Sequence, residues 1–248
     1  MSGTAAPTPI TPDWPAPARV RAYSTTRAGG VSTGAHAGLN LATHVGDDPA
    51  AVAANRQRLA RHAGVTPCWL EQVHGVDVAA AMPGDAEPCA DASFTRTPGR
   101  ACVVMTADCL PVLLCDVAGR VVAAAHAGWR GLAGGVLENT LDAMGEAPEN
   151  LLAWLGPAIS QPAFEVGEEV RTAFVRHLAE AEAAFAPGRA AGKWQADLYL
   201  LARQRLAARG VRHISGGGRC TFSEAEHFFS ARRDGTRSGR QASLIWLA

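Results

Sequence analysis

The chain has 248 residues, 48% of them hydrophobic, which is enough apolar side chain to fill the core of one large domain. Lys plus Arg and Asp plus Glu both total 23, so the formal net charge is zero and no long-range field recruits nucleic acid or an anionic membrane surface. No uncharged apolar run reaches the roughly 20 residues that span a bilayer, and six cysteines at irregular spacing without a CxxC pair read as reduced thiols.

Residues 1–13 are Pro-rich, with no basic n-region or unbroken apolar stretch, and predict a flexible tail on a cytoplasmic protein. Residues 14–248 follow as one domain. VRAYSTT predicts a first strand running into Arg27 and a Gly-Gly turn, then a polar loop that carries Asn40, His44, Asp47 and Asp48. Asp48 is placed to cap a helix over 50–63, with Pro49 in its first turn.

From Cys68 to Ala125 the pattern turns to strands, over 68–81, 90–95, 101–106, 111–116 and 121–125. The last three are almost wholly apolar, so both of their faces must be covered. Cys102 and Cys115 lie inside them as small buried hydrophobes. Helices are expected at 131–144, from 167 onward, and at 195–209, with a strand at 151–157 between the first two. The Ala-rich stretch at 179–194 reads as a mobile excursion, and 227–247 as a closing hairpin about Asp234-Gly235. The fold class is α/β (α+β), a single layered domain with a central mixed β-sheet covered by helices.

Three side chains stand at the ends of these strands. His74 lies in GluGlnValHisGly, Cys109 in ThrAlaAspCysLeuPro, and His126 in AlaHisAlaGlyTrpArgGly. Two imidazoles and a thiolate scattered along the chain suit a catalytic zinc, which leaves its fourth position to water or substrate. His126 opens into Gly128, Arg130 and Gly131 at a helix start, where an anion is expected. An anion beside an activated water or polarised substrate suits phosphorolysis and hydrolysis equally.

Together with SerThrThrArgAlaGlyGlyValSer, LeuAsnLeuAlaThrHisValGlyAspAspPro, TrpLeuGlyProAlaIleSer and PhePheSerAlaArgArg, these motifs resemble the YfiH family. That family was once labelled multicopper polyphenol oxidases or laccases and is now described as purine nucleoside phosphorylases. The resemblance runs from about Trp14 to the C-terminus. It implies a fold similar to the catalytic domain of cytotoxic necrotizing factor, and zinc on His74, Cys109 and His126. It further implies phosphorolysis of adenosine, inosine, guanosine and methylthioadenosine to base and ribose 1-phosphate, with adenosine deamination.

The laccase label conflicts with the residues. A blue multicopper oxidase needs about ten histidines, many in HxH pairs, and this chain has eight and no HxH. Copper remains an alternative occupant of the same three ligands. Deamination cannot use the cytidine-deaminase arrangement, because no HxE is followed by PCxxC.

Arg27 and Arg130 are candidates for phosphate, Asn40 and His44 for ribose or base, and Glu165 for an ion pair or proton acceptor. The rival assignment is a thiol hydrolase with Cys109 as nucleophile and His126 as base, which would edit misincorporated amino acids in peptidoglycan precursors. Purine nucleosides and phosphate are the expected partners, without nucleic acid or membrane.

Overall fold

A computed structural model of the chain describes residues 9–82 and 87–248. In chain order these form β1 (Val20–Ser24), α1 (Pro49–Ala63), β2 (Thr66–Cys68), β3 (Val78–Ala80), β4 (Ala92–Thr95), β5 (Arg100–Thr106), β6 (Leu110–Asp116) and β7 (Val122–Ala127). There follow α2 (Trp129–Gly134), α3 (Val136–Met144), β8 (Leu151–Leu155), β9 (Glu165–Gly167), α4 (Glu168–Val175), β10 (Phe185–Pro187) and β11 (Lys193–Ala196). The chain ends in α5 (Leu198–Ala208), β12 (His213–Gly216), α6 (Ala231–Asp234) and β13 (Gln241–Leu247).

The expected central sheet is two stacked sheets. One has the order β1-β13-β5-β2 and the other β12-β8-β6-β7-β4-β3, both mixing parallel and antiparallel pairs. Strand alternation explains the unbroken apolar runs. In β5, Cys102 and Val104 point between the sheets while Ala101, Val103 and Met105 pack outward with Leu59 of α1. In β6, Leu113 and Cys115 point between the sheets while Leu110, Val112 and Leu114 pack on the opposite side with Leu137 of α3 and Leu201 of α5. The fold is therefore layered helix, sheet, sheet, helix, with no face of its central strands left to water.

Several expected elements take other forms. The strand over 68–81 is two short strands joined by a loop over 69–77, where Glu71 makes an isolated bridge with Cys89 and the N–H groups of Val73, His74 and Gly75 bond a carboxylate instead of a ladder. The helix over 131–144 is broken at Gly135, whose φ of 105° lies in the left-handed region. Gln195 and Ala196 belong to β11, and α5 starts later, capped by Asp197, which accepts from the Leu200 N–H at 3.0 Å.

The Ala-rich stretch is ordered. A 3-10 turn at Ala179–Ala184 and the strands β10 and β11 pack it down, with Phe185 against Phe174. The closing hairpin does not form. Ser230 caps α6 instead, and Phe229 donates its N–H to the Gln241 side chain at 2.9 Å, so β13 pairs with β1 and β5. Of the expected N-terminal tail, residues 1–8 lie outside the described residues, and Ile10 exchanges two backbone hydrogen bonds with Ser24. Among the described residues no helix is long and apolar enough to cross a membrane.

Candidate metal centre

The three side chains singled out in the sequence converge. Their ligand atoms all lie within 4.8 Å of one another, with Cys109 Sγ 3.9 Å from His74 Nε2 and the two imidazole rings 4.8 Å apart between centroids. Zinc bonds of about 2.0–2.3 Å at tetrahedral angles set ligand atoms roughly 3.3–3.7 Å apart, so a small contraction would close this group on an ion.

Each ligand arrives by a different device. Cys109 sits in the bend between β5 and β6, where Asp108 adopts a φ of 94° and is held there by three donors. The Asp108 carboxylate accepts from Thr221 Oγ1 at 2.6 Å, Ser230 Oγ at 3.0 Å and the Arg232 N–H at 2.7 Å. His126 lies in the last turn of the ladder, in β7, with only 3% of its surface exposed. His74 projects from the 69–77 loop with a φ of 62°. That loop is pinned to β5 by Gln72, which donates to and accepts from the backbone of Met105 at 2.9 and 2.7 Å.

Asp91, which sequence reasoning passed over, ties two of the ligands together. Its carboxylate accepts from the N–H groups of Val73, His74 and Gly75 at 3.1, 3.0 and 2.6 Å, and from His126 Nδ1 at 2.7 Å. The Nδ1–H is thereby fixed toward Asp91, and Nε2 is the nitrogen a metal would take by displacing its proton. A fully buried acid at the head of an apolar strand, AspAlaSerPhe, was the signal that could have found it.

The charges are coupled. Burial raises the Cys109 thiol, yet the imidazoles of His126 and His74 outweigh it and bring the group down to about 6. Burial disfavours charge on His126, but the Cys109 thiolate and the Asp91 carboxylate overcome it and raise the imidazole to about 9. Burial pushes Asp91 up, and the His126 ring and the loop N–H groups hold it below the usual carboxylate range. Cys102 and Cys115, inside their strands, are pushed up by burial to about 12. Only Cys109 of these three is poised as a thiolate ligand.

The helix start after His126 is already filled. A Cβ on Gly128 would lie 3.0 Å from His74 Cδ2 and 3.1 Å from Cys109 Sγ, and one on Gly131 would meet the Gly75 carbonyl at 2.7 Å. These glycines let the ligand loops close on one another, so the anion cradle expected there has no room at these two positions.

The other candidate residues are spread around this centre. Arg27 donates to the carbonyls of Ala225 and Ala37 and lies 4.8 Å over the Phe229 ring. Asn40 is buried, with its amide spent on Ala42, Asp47 and the Arg240 N–H. His44 lies at a cleft of about 440 Å3 shared with Gln72, Val73 and Met105, and burial with the Arg240 and Arg56 guanidiniums holds its pKa down. Arg130 is exposed over the Trp129 ring. Glu165 accepts the Arg189 N–H at 2.7 Å and lines a separate cleft of about 620 Å3 with Ser160, Cys220 and Arg232.

This fold and this three-ligand centre place the chain in a family: residues 21–248 match the model described as multi-copper polyphenol oxidoreductase laccase, and the chain belongs to that family. It is 58% identical over 238 residues to a purine nucleoside phosphorylase of Pseudomonas aeruginosa, covering 96% of this chain and 98% of the relative. It is 57% identical over 242 residues to the purine nucleoside phosphorylase YfiH of Escherichia coli, with the same coverage. The crystal structure of Neisseria meningitidis protein NMB0706 superposes with a TM-score of 0.93 at 55% identity, covering 96% of this chain and 98% of that one. YlmD from Geobacillus stearothermophilus superposes with a TM-score of 0.88 at 33% identity, covering 93% and 92%. Among the described residues only His74, Cys109 and His126 form a group of three or more ligating side chains, far short of the set a multicopper oxidase requires.

Proposed function

We propose that the chain is a zinc-dependent purine nucleoside phosphorylase acting on adenosine, inosine, guanosine and methylthioadenosine, with adenosine deamination at the same site. The observation that carries this reading is the open His74–Cys109–His126 set with Asp91 fixing the His126 tautomer. The purine nucleoside phosphorylase names of relatives at 58% and 57% identity support it. Zinc held there would supply a Lewis acid with a free coordination position. Copper is the alternative occupant, since imidazole and thiolate donors also suit it.

In phosphorolysis a phosphate oxygen bonds to C1′ of the ribose as the C1′–N9 bond breaks. The electron pair leaves on N9 and the freed base takes up a proton. The protein's part is to orient phosphate and nucleoside and to relieve charge on the departing base. His44, at the cleft beside Val73, is the residue assigned to base or ribose. Arg27 and Asn40 act by holding the surrounding loops, through Ala225 and through the Arg240 N–H. Glu165 acts on the second cleft, as partner of the Arg189 backbone. Deamination replaces the C6 amino group of adenosine by water oxygen and releases ammonia. A cytoplasmic setting suits these substrates and the six free thiols.

A second reading rests on one observation: Cys109, His126 and Asp91 are a thiol, an imidazole and a carboxylate in sequence of contact, the order of a thiol hydrolase. Adenosine incubated with metal-quantified protein separates the two. The phosphorylase yields adenine and ribose 1-phosphate only when phosphate is added, and neither in Cys109→Ala. Metal-free protein that ignores nucleosides but cleaves an amide-linked muramyl precursor through Cys109 would establish the hydrolase instead.

A further inference from the structure

We propose that Arg240 is the phosphate-binding arginine of this site, an assignment that rests on the phosphorylase reading and names the residue that receives its second substrate. Sequence reasoning chose Arg27 and Arg130 for this task. Arg27 lies over the Phe229 ring and Arg130 stacks on Trp129 in the open, and neither is on the β13–β5 register that carries a side chain to the Cys109 bend.

Arg240 is placed by β-sheet register. Gln241 pairs with Thr106 across β13 and β5, so the residue before it emerges beside the Ala107–Cys109 bend. Its backbone is fixed on both sides, the N–H donating to Asn40 Oδ1 at 2.9 Å and the carbonyl accepting from the Leu41 N–H at 3.2 Å. Cys109 and Asp108 are the two negative groups that act on its charge.

Every acceptor of its guanidinium is neutral. Nη1 donates to the carbonyls of Ser238 and Gly239 at 2.5 and 3.1 Å and to Ser238 Oγ at 3.3 Å, and Nη2 to the Thr236 carbonyl at 3.1 Å. No ion pair among the described residues includes Arg240. Asp108 acts on it only at longer range: its carboxylate accepts from Thr221, Ser230 and the Arg232 N–H and makes no ion pair with Arg240.

A half-buried guanidinium is thus held by dipoles alone, with Nε–H and one Nη2–H outside these hydrogen bonds and free to meet an oxyanion. A partly desolvated cation without a direct ion-pair partner favours an anion of high charge density. Inorganic phosphate fits, and the adjacent metal centre would hold the nucleoside on which it acts.

The test titrates inorganic phosphate calorimetrically into metal-quantified full-length protein and measures the phosphate and nucleoside KM values for wild type, Arg240→Lys and Arg240→Met. A lysine keeps the charge and loses the fork, so the phosphate Kd and KM should rise about tenfold or more in Arg240→Lys. The loss should be larger in Arg240→Met, with nucleoside KM and metal content unchanged in Arg240→Lys. Should Arg240→Met fail to fold, Arg240→Lys decides alone. Wild type that performs phosphorolysis while Arg240→Lys keeps its phosphate affinity overturns the assignment and leaves the phosphorylase reading intact. Wild type that binds phosphate through Arg240 yet forms no ribose 1-phosphate upholds the assignment and defeats that reading.

Discussion

One carboxylate, Asp91, accepts hydrogen bonds from three consecutive loop N–H groups and from His126 Nδ1, so it sets the position of His74 and the tautomer of His126 together. Asp91→Asn must turn an amide N–H toward at least one of these donors. Metal affinity should fall about 10- to 100-fold, and folding stability by about 1–3 kcal/mol. Competition with a chromogenic chelator measures the first, and an unchanged affinity would reduce Asp91 to a structural residue. Gly128 carries the complementary constraint. Its φ of −61° suits any residue, so Gly128→Ala introduces no backbone strain and only pushes a methyl at His74 and Cys109. Bound metal per chain should drop in Gly128→Ala while the urea midpoint moves little, and full metal occupancy would contradict the contact.

The ligands depend on how elements end. The 69–77 loop, the bend at Asp108 and the close of β7 each leave the sheets at one site, while the opposite turn between β6 and β7 is closed by Asp116. That side chain is fully buried and accepts from the N–H groups of Arg120 and Val121 at 2.5 and 3.0 Å and from Arg120 Nε at 2.9 Å. Burial opposes its charge, but these donors hold it below the usual carboxylate range. A folded group that ionises below its unfolded value of about 3.9 contributes stability in full above that pH and loses it as pH falls through the folded value. Urea unfolding at pH 7 and pH 3 should therefore show a larger acid loss in wild type than in Asp116→Asn. Equal losses would mean that other carboxylates dominate.

At the scale of the molecule, apolar runs in β5, β6 and β7 announced strands covered on both faces, and the layering followed. What periodicity could not show was that two sheets stack, because a strand buried against a sheet and one buried against a helix read alike. The converging group is legible in the sequence as a thiol and two imidazoles at strand ends. Asp91 and Arg240 are not, since their roles come from pairing across β4–β7 and β5–β13 between residues far apart in sequence. The segment at 69–77 reads as strand from its residues alone because the acceptor for the Val73, His74 and Gly75 N–H groups is Asp91, a side chain outside it.

The central claim, that the His74–Cys109–His126 centre holds the metal on which nucleoside phosphorolysis depends, is tested most directly by chelating the purified protein and restoring zinc in substoichiometric steps. Phosphate-dependent cleavage of inosine is followed at each step. The rate should climb in proportion to added zinc, level off at about one equivalent per chain as expected for a single three-ligand site, and stay at background in Cys109→Ala. A metal-free protein that cleaves inosine at the full rate, or a rate in Cys109→Ala equal to wild type, would contradict it.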